Sequence, residues 1–218
     1  MGNATVTVLQ TLSITSSLMV AGGIATLSLF DVPMLQAQPA SRSLPSVRWL
    51  FSRGSHLMPT AAFAAGTGFV VLGVLALPPA AAVGGGLVAR ILAGTGTQGY
   101  LAAAACNFAI GPVTGLMLPT NFALIQKNEA HGGVRSERAA TANKYRPGQR
   151  SADDSVAGKG EGNQFTDLSG PQEKTPLGSS QAEDEEVRRL LGKFARMNAV
   201  RAAFCMVGGV VGLCTALA

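Results

Sequence analysis

The chain has 218 residues, 47% of them hydrophobic and only 13% charged, with a mean hydropathy of +0.29. So few charges cannot clothe a soluble helical protein of this size, because a surface helix needs a polar face. The net charge of +5 has no aromatic residues interleaved with its basic ones, which argues against nucleic-acid binding and for membrane topology.

Charge is absent from Met1 to Phe30. A membrane-spanning helix needs about 20 mostly apolar residues, so this stretch predicts a first span over 5–30. No Lys or Arg precedes Arg42, and the apolar run exceeds that of a secretory signal, so it reads as a span. The stretch SLPSVRWLFSRGSHLMPT predicts a short juxtamembrane helix over 44–57. Pro45 suits its first turn, and Gly54 with Pro59 loosens its end. The uncharged run Gly54–Ala89 holds a second span at 58–80, and the run Ile91–Gln126 a third at 98–120. GTGTQG at 94–99 fits a dinucleotide pattern in spelling only, since no strand precedes it and no acid follows at the required distance.

Residues 128–186 carry Gly, Ser, Gln, Asn, Lys and Glu with almost no large apolar residues, which predicts a disordered loop. The run EDEEVRRLL starts a helix whose acids suit the positive end of its dipole. From Val187 it is expected to continue into a fourth span at 198–217. The fold class read from these elements is an all-α membrane protein, a four-transmembrane-helix bundle with a juxtamembrane helix and a long cytoplasmic loop. Its parts are 1–127, the loop 128–186, and 187–218.

Orientation follows from basic residues. Arg42, Arg48, Arg53 and the twelve Lys/Arg from Lys127 to Arg196 lie on one side, and Arg90 alone lies opposite. The positive-inside rule puts the two long connecting segments in the cytosol and both termini across the membrane. The expected location is a multi-pass position in an endomembrane, the endoplasmic reticulum. Cys106, Cys205 and Cys214 match no zinc or thioredoxin spacing and read as small residues inside the spans.

Polar residues inside the apolar runs are the candidate chemistry. Asn107, Thr114 and Asn121 are seven apart and share one helix face, with Pro112 and Pro119 bending the helix beside it. Asn198 and Arg201 share a face about one turn into the last span, where a charge is a functional-site hypothesis by default. Trp49, Arg53 and His56 again share one face. Each residue also has a bland reading: an interhelical bond for the amides and hydroxyls, a snorkelling Arg201, a topology charge at Arg53 or an interface anchor at Trp49. No carboxylate lies in any span and no cluster of metal-ligating residues is evident, so metal chemistry is not expected. One imidazole, two guanidiniums and a few amides and hydroxyls suit deprotonation of an acidic C–H or phenol, with stabilisation of the oxyanion formed.

FDVPML at 30–35, VRWLFSRGSHLMP at 47–59, GPVTGLMLPTNFAL at 111–124 and VRRLLGKFARMNAVRAAF at 187–204 resemble the anthrone oxygenase-like family of small four-span membrane proteins. The Pro-Thr-Asn after the third span and the Asn-x-x-Arg entering the fourth are the most specific pieces. The resemblance covers the spans and leaves out the loop. It implies oxidation of a polyketide-derived anthrone to an anthraquinone by O2 as co-substrate, without metal or organic cofactor. By position, His56, Asn121, Asn198 and Arg201 become the catalytic residues. His56 is expected to take the proton, while Arg201 and Asn121, with Asn198, hold the phenolate-like oxygen. Trp49 and Arg53 flank the flat substrate, and Thr114 and Thr120 form pocket walls. The implied partners are a planar phenolic substrate, the lipid bilayer and enzymes of a polyketide pathway. The alternative is a non-catalytic four-span scaffold whose loop recruits partners.

Overall fold

A computed structural model describes residues 3–218, and among these every regular element is helical. Helix α1 covers Asn3–Thr26, passes through a π-helical turn at Leu27–Asp31 and continues as α2, Val32–Gln36. Helix α3 is Ala40–Leu75, followed by the short α4, Ala80–Val83, and α5, Leu87–Ala93. Helices α6, Thr95–Phe108, and α7, Ile110–Ala130, form the third long rod. Two short helices follow, α8 at Glu137–Ala142 and α9 at Ala152–Val156, before α10, Gln181–Leu217. Four stretches, Ala4–Gln36, Ala40–Leu75, Thr95–Ala130 and Gln181–Leu217, are long and apolar enough to cross a membrane.

The helix boundaries have local causes. Gln38-Pro39 ends the first rod and opens α3, where Pro39 lacks only an amide that would be unpaired anyway. The expected juxtamembrane helix at 44–57 is not separate. It is the first half of α3, which runs unbroken past Gly54 and Pro59. One lost backbone bond at a proline is tolerated when packing on both sides holds the rod. In the third rod, Pro112 removes the amide that would bond Phe108, and the helix divides there. The Ala109 amide still reaches the Ala105 carbonyl at 3.0 Å, and Val113 reaches Ala109 at 3.2 Å. The last helix starts at Gln181, six residues before the expected Val187. Ser180 and Glu183 form a capping box, in which Glu183 Oε2 accepts from the Ser180 amide at 2.7 Å.

The chain divides into two compact units. The first comprises Met1–Ala25, Met58–Thr114 and Ala199–Ala218. Its interior is small and partly polar. Ser17 Oγ donates to Asn107 Oδ1 at 2.9 Å and approaches the Cys205 carbonyl at 2.8 Å, while Asn107 Nδ2 donates to the Ala103 carbonyl at 2.9 Å. Val20, Ala21, Ile24, Ala62, Ile110, Ala202 and Cys205 pack as one cluster, and Phe69, Leu72, Tyr100, Ala103 and Ala104 as another. A Cβ at Gly68 would overlap Ser13 Oγ, so the helices approach through glycine. The outward residues are large: Val8, Leu12, Met19, Val74, Val207 and Leu213 are all exposed. Small and hydrogen-bonded inside with aliphatic outside is how helices pack when the solvent is lipid.

The second unit comprises Thr26–Leu57 and Gly115–Asn198. It contains the segment expected to be disordered, and the structure corrects that expectation. Val134 is fully buried, Ala139 and Ala152 are nearly so, and Ser136 and Ser151 cap α8 and α9 by accepting from Ala139 and Asp154 amides. The segment has few apolar residues because its centre is ionic. Arg150 reaches Glu129 through two bonds, Nε to Oε2 at 2.8 Å and Nη2 to Oε1 at 2.7 Å, and Glu161 Oε1 at 2.5 Å. Arg135 Nε lies 3.0 Å from Glu161 Oε2, and Ser155 Oγ donates to Glu129 Oε1 at 2.6 Å. Burial pushes the Arg150 guanidinium down, but Glu129 and Glu161 outweigh it and hold it above its usual range. Leu44, Val47, Leu124, Val187 and Leu191 are buried in this unit, and the rings of Phe51 and Phe194 meet edge to face at 5.1 Å.

Candidate functional site

The helical period places Trp49, Arg53 and His56 on one face of α3, and the structure keeps them together. The Arg53 guanidinium lies over the Trp49 ring, 5.4 Å from its centroid. The strip is half-buried at Trp49 and Arg53 and exposed at His56. It faces the Gln164–Ser169 segment, which takes up most of its donors. Trp49 Nε1 donates to the Ser169 carbonyl at 3.0 Å. Arg53 donates to the carbonyls of Gln164 at 3.2 Å, Ser169 at 3.3 Å, and Asp167. His56 Nε2 and Gln164 Nε2 are 2.6 Å apart, and the Phe165 ring packs on the imidazole at 5.0 Å. An amide N–H there makes His56 Nε2 the acceptor and leaves its proton on Nδ1.

Asp167 anchors that segment from within. Its carboxylate accepts from Ser136 Oγ at 2.5 Å, Ser169 Oγ at 2.6 Å and the Ser169 amide at 3.0 Å. Burial pushes the carboxyl up, but these bonds and the Arg53 charge prevail and hold it at about 2.

The other expected residues of this unit lie on α7 and α10. Thr120 is buried, and Asn121 is half-buried with an Oδ1 that is fully enclosed and has no hydrogen-bond partner. Asn198 is buried and donates from Nδ2 to the Phe194 carbonyl at 3.2 Å, one turn back along its helix. None of the hydrogen bonds of Trp49, Arg53 or His56 reaches these three. Thr114 and Arg201 belong to the first unit. Thr114 Oγ1 bonds back to the Ile110 carbonyl at 2.6 Å, a local helix bond that suits the bland reading. Arg201 is buried in an apolar stretch of α10, one turn after Asn198.

Two features escape a reading of sequence pattern. Gln164 and Phe165 are the immediate neighbours of His56, yet they come from a segment with no period. The Arg48 guanidinium, expected only as a topology charge, is buried and bonds Ser155 at 3.1 Å through its hydroxyl and 2.7 Å through its carbonyl. No group of three His, Cys, Asp or Glu residues among the described residues is arranged to hold a metal ion. The chain matches no family model, no curated protein and no solved structure.

Proposed function

We propose that the chain is a cofactor-independent membrane oxygenase that converts a polyketide-derived anthrone to an anthraquinone with O2. The observation that carries this reading is the enclosed, unpartnered Oδ1 of Asn121, on the Pro119-Thr120-Asn121 turn. A buried acceptor left unpaired costs stability, and a phenolic O–H is the donor that relieves it. Asn121 is thus assigned to hold the substrate's phenol, and His56 Nε2, on exchanging Gln164 for the substrate, to remove a proton from the methylene carbon. Asn198 is assigned to the negative charge that develops on the ring oxygen. The electron-rich carbon passes electrons to O2 and forms a C–O bond. The hydroperoxide then loses water as its O–O bond breaks and the second C–H proton leaves. One oxygen atom ends in the new carbonyl and the other in water, so the four electrons balance. Trp49 and Arg53 are assigned to pack against the flat polycycle, with Thr120 as a wall. We further place the long connecting segments in the cytosol and the protein in the endoplasmic reticulum membrane.

The test uses membranes carrying the wild type, His56→Ala or Asn121→Leu, supplied with emodin anthrone in air. Quinone should form well above the spontaneous rate in the wild type. His56→Ala is expected to lower kcat by about 100-fold or more, the usual contribution of a general base. Asn121→Leu should cost roughly 10-fold in kcat/KM, as one hydrogen bond of about 1–1.5 kcal/mol implies. Equal rates in all three and in empty membranes would remove this substrate and favour the scaffold reading.

A further inference from the structure

We propose that the Gln164–Ser169 segment is an interfacial loop that places Phe165 and Leu168 in the lipid surface, beside the His56 end of the polar half of α3. The segment is polar inward and apolar outward. Its carbonyls at 164, 167 and 169 accept from Arg53, the Ser169 carbonyl also accepts from Trp49, and the Asp167 carboxylate turns in to Ser136 and Ser169. Facing out are Phe165, 68% exposed, and Leu168, 89% exposed, with Thr166 beside them and Leu57 on the helix itself 64% exposed. The segment thus spends its polar groups on the helix and offers its two large apolar side chains to whatever surrounds it.

The register of α3 says what surrounds it. After Arg53 the chain carries no formal charge until Arg90, and the helix continues through Met58 into its most apolar stretch. At a rise of about 1.5 Å per residue, His56 lies roughly 3 Å and Arg53 roughly 7.5 Å before Met58. A headgroup layer is about 5–7 Å thick on each side of the hydrocarbon. Phe165 packs on the His56 ring, and Leu168 lies between the two residues, Asp167 and Ser169, whose carbonyls Arg53 binds. Both side chains therefore sit at headgroup depth on a helix that enters the bilayer within one turn. An aromatic residue and a leucine over a polar, hydrogen-bonded backing is how a monotopic segment rests in that layer. The inference rests on these helices crossing a membrane and not on the oxygenase reading, so either can fail alone.

The test is made on the full chain in phosphatidylcholine nanodiscs doped with a phosphatidylcholine whose photoactivatable diazirine sits at the headgroup end of the acyl chain. After irradiation and trypsin digestion, the peptide 160–174 should carry lipid adducts at Phe165 or Leu168. The neighbouring peptide 175–188 holds the exposed Leu177, whose amide donates to the His131 carbonyl beyond the end of α7, and should stay at background. Replacing Phe165 and Leu168 together with Ser should lower labelling of the first peptide several-fold while the long helices keep theirs. Labelling of 160–174 no higher than that of 175–188 overturns the proposal. So does labelling that the double replacement leaves unchanged, or protection of Phe165 that persists in detergent without lipid adducts, which points to a protein partner.

Discussion

Asp167 is the residue on which the face of the candidate site turns, because it holds the segment that packs beside Trp49, Arg53 and His56. Its carboxyl titrates at about 2, below the ordinary 3.8. A carboxyl depressed in the folded state stabilises it fully above the ordinary value, and that contribution fades as pH falls from about 4 to about 2. Acidification through this window should release the Gln164–Ser169 segment from Trp49. Trp49 is the chain's one tryptophan, so its fluorescence reports this directly, and the emission should shift to longer wavelength. Asp167→Asn should remove the part of the shift confined to that window. A shift of the same size and midpoint in the variant would mean that other carboxyls carry it. At this scale His56 was legible as an isolated histidine beside an apolar run. Its partners Gln164 and Phe165 were not, since they lie more than a hundred residues away in a stretch without pattern.

Among the elements, the 128–186 segment departs furthest from its composition. Its order rests on Arg150 shared between Glu129 and Glu161, with Arg135 and Ser155 completing the group. Removing one partner of a buried ion pair leaves an uncompensated charge and costs about 3–5 kcal/mol. Glu129→Gln should therefore open the segment and leave the four long helices intact. The measurement is limited proteolysis at Lys144 and Lys159 beside the far-ultraviolet dichroism of the same sample. Cleavage is expected to accelerate many-fold while helical signal is largely kept. Rapid cleavage of the wild type at both sites would restore the disordered reading. The start of α10 at Gln181 rests on the Ser180–Glu183 box, a local signal that the sequence reading did not use. Reading the helix only from its apolar period placed the start at Val187 instead.

For the whole molecule, the two units differ in what fills their interiors. The first unit has glycine, alanine, Ser17 and Asn107 inside with aliphatic residues outside, and the second has an ionic and apolar interior while still exposing Met34, Leu57, Phe165 and Leu168. The basic residues from Arg42 to Arg53 and from Lys127 to Arg196 belong to the second, and the first holds only Arg90, in the connection after α3, and the buried Arg201. A glycosylation acceptor carried on a flexible insertion at Gly84–Gly86 should therefore be modified in the endoplasmic reticulum, and the same insertion at 162–163 should not. The reverse pattern would invert the proposed orientation and put His56 on the lumenal side.

The sequence by itself determined that there are four apolar helices long enough to span a membrane, but not all of their ends: the third rod runs to Ala130 against an expected 120, and α3 begins at Ala40. Absence of charge over twenty or more residues is a local, additive property that no distant contact can reverse. It also supplied the one-face groupings of Trp49, Arg53 and His56 and of Asn198 with Arg201, because helical period alone fixes them. Only the tertiary structure decided that residues 128–186 fold, that Arg48 is buried, and that Gln164 and Phe165 pack beside His56. Those outcomes depend on Coulomb and hydrogen-bond pairs between residues from 21 to more than 100 positions apart. Composition counts such groups as polar and unpaired, and only their meeting in space turns a cost of burial into a stable core.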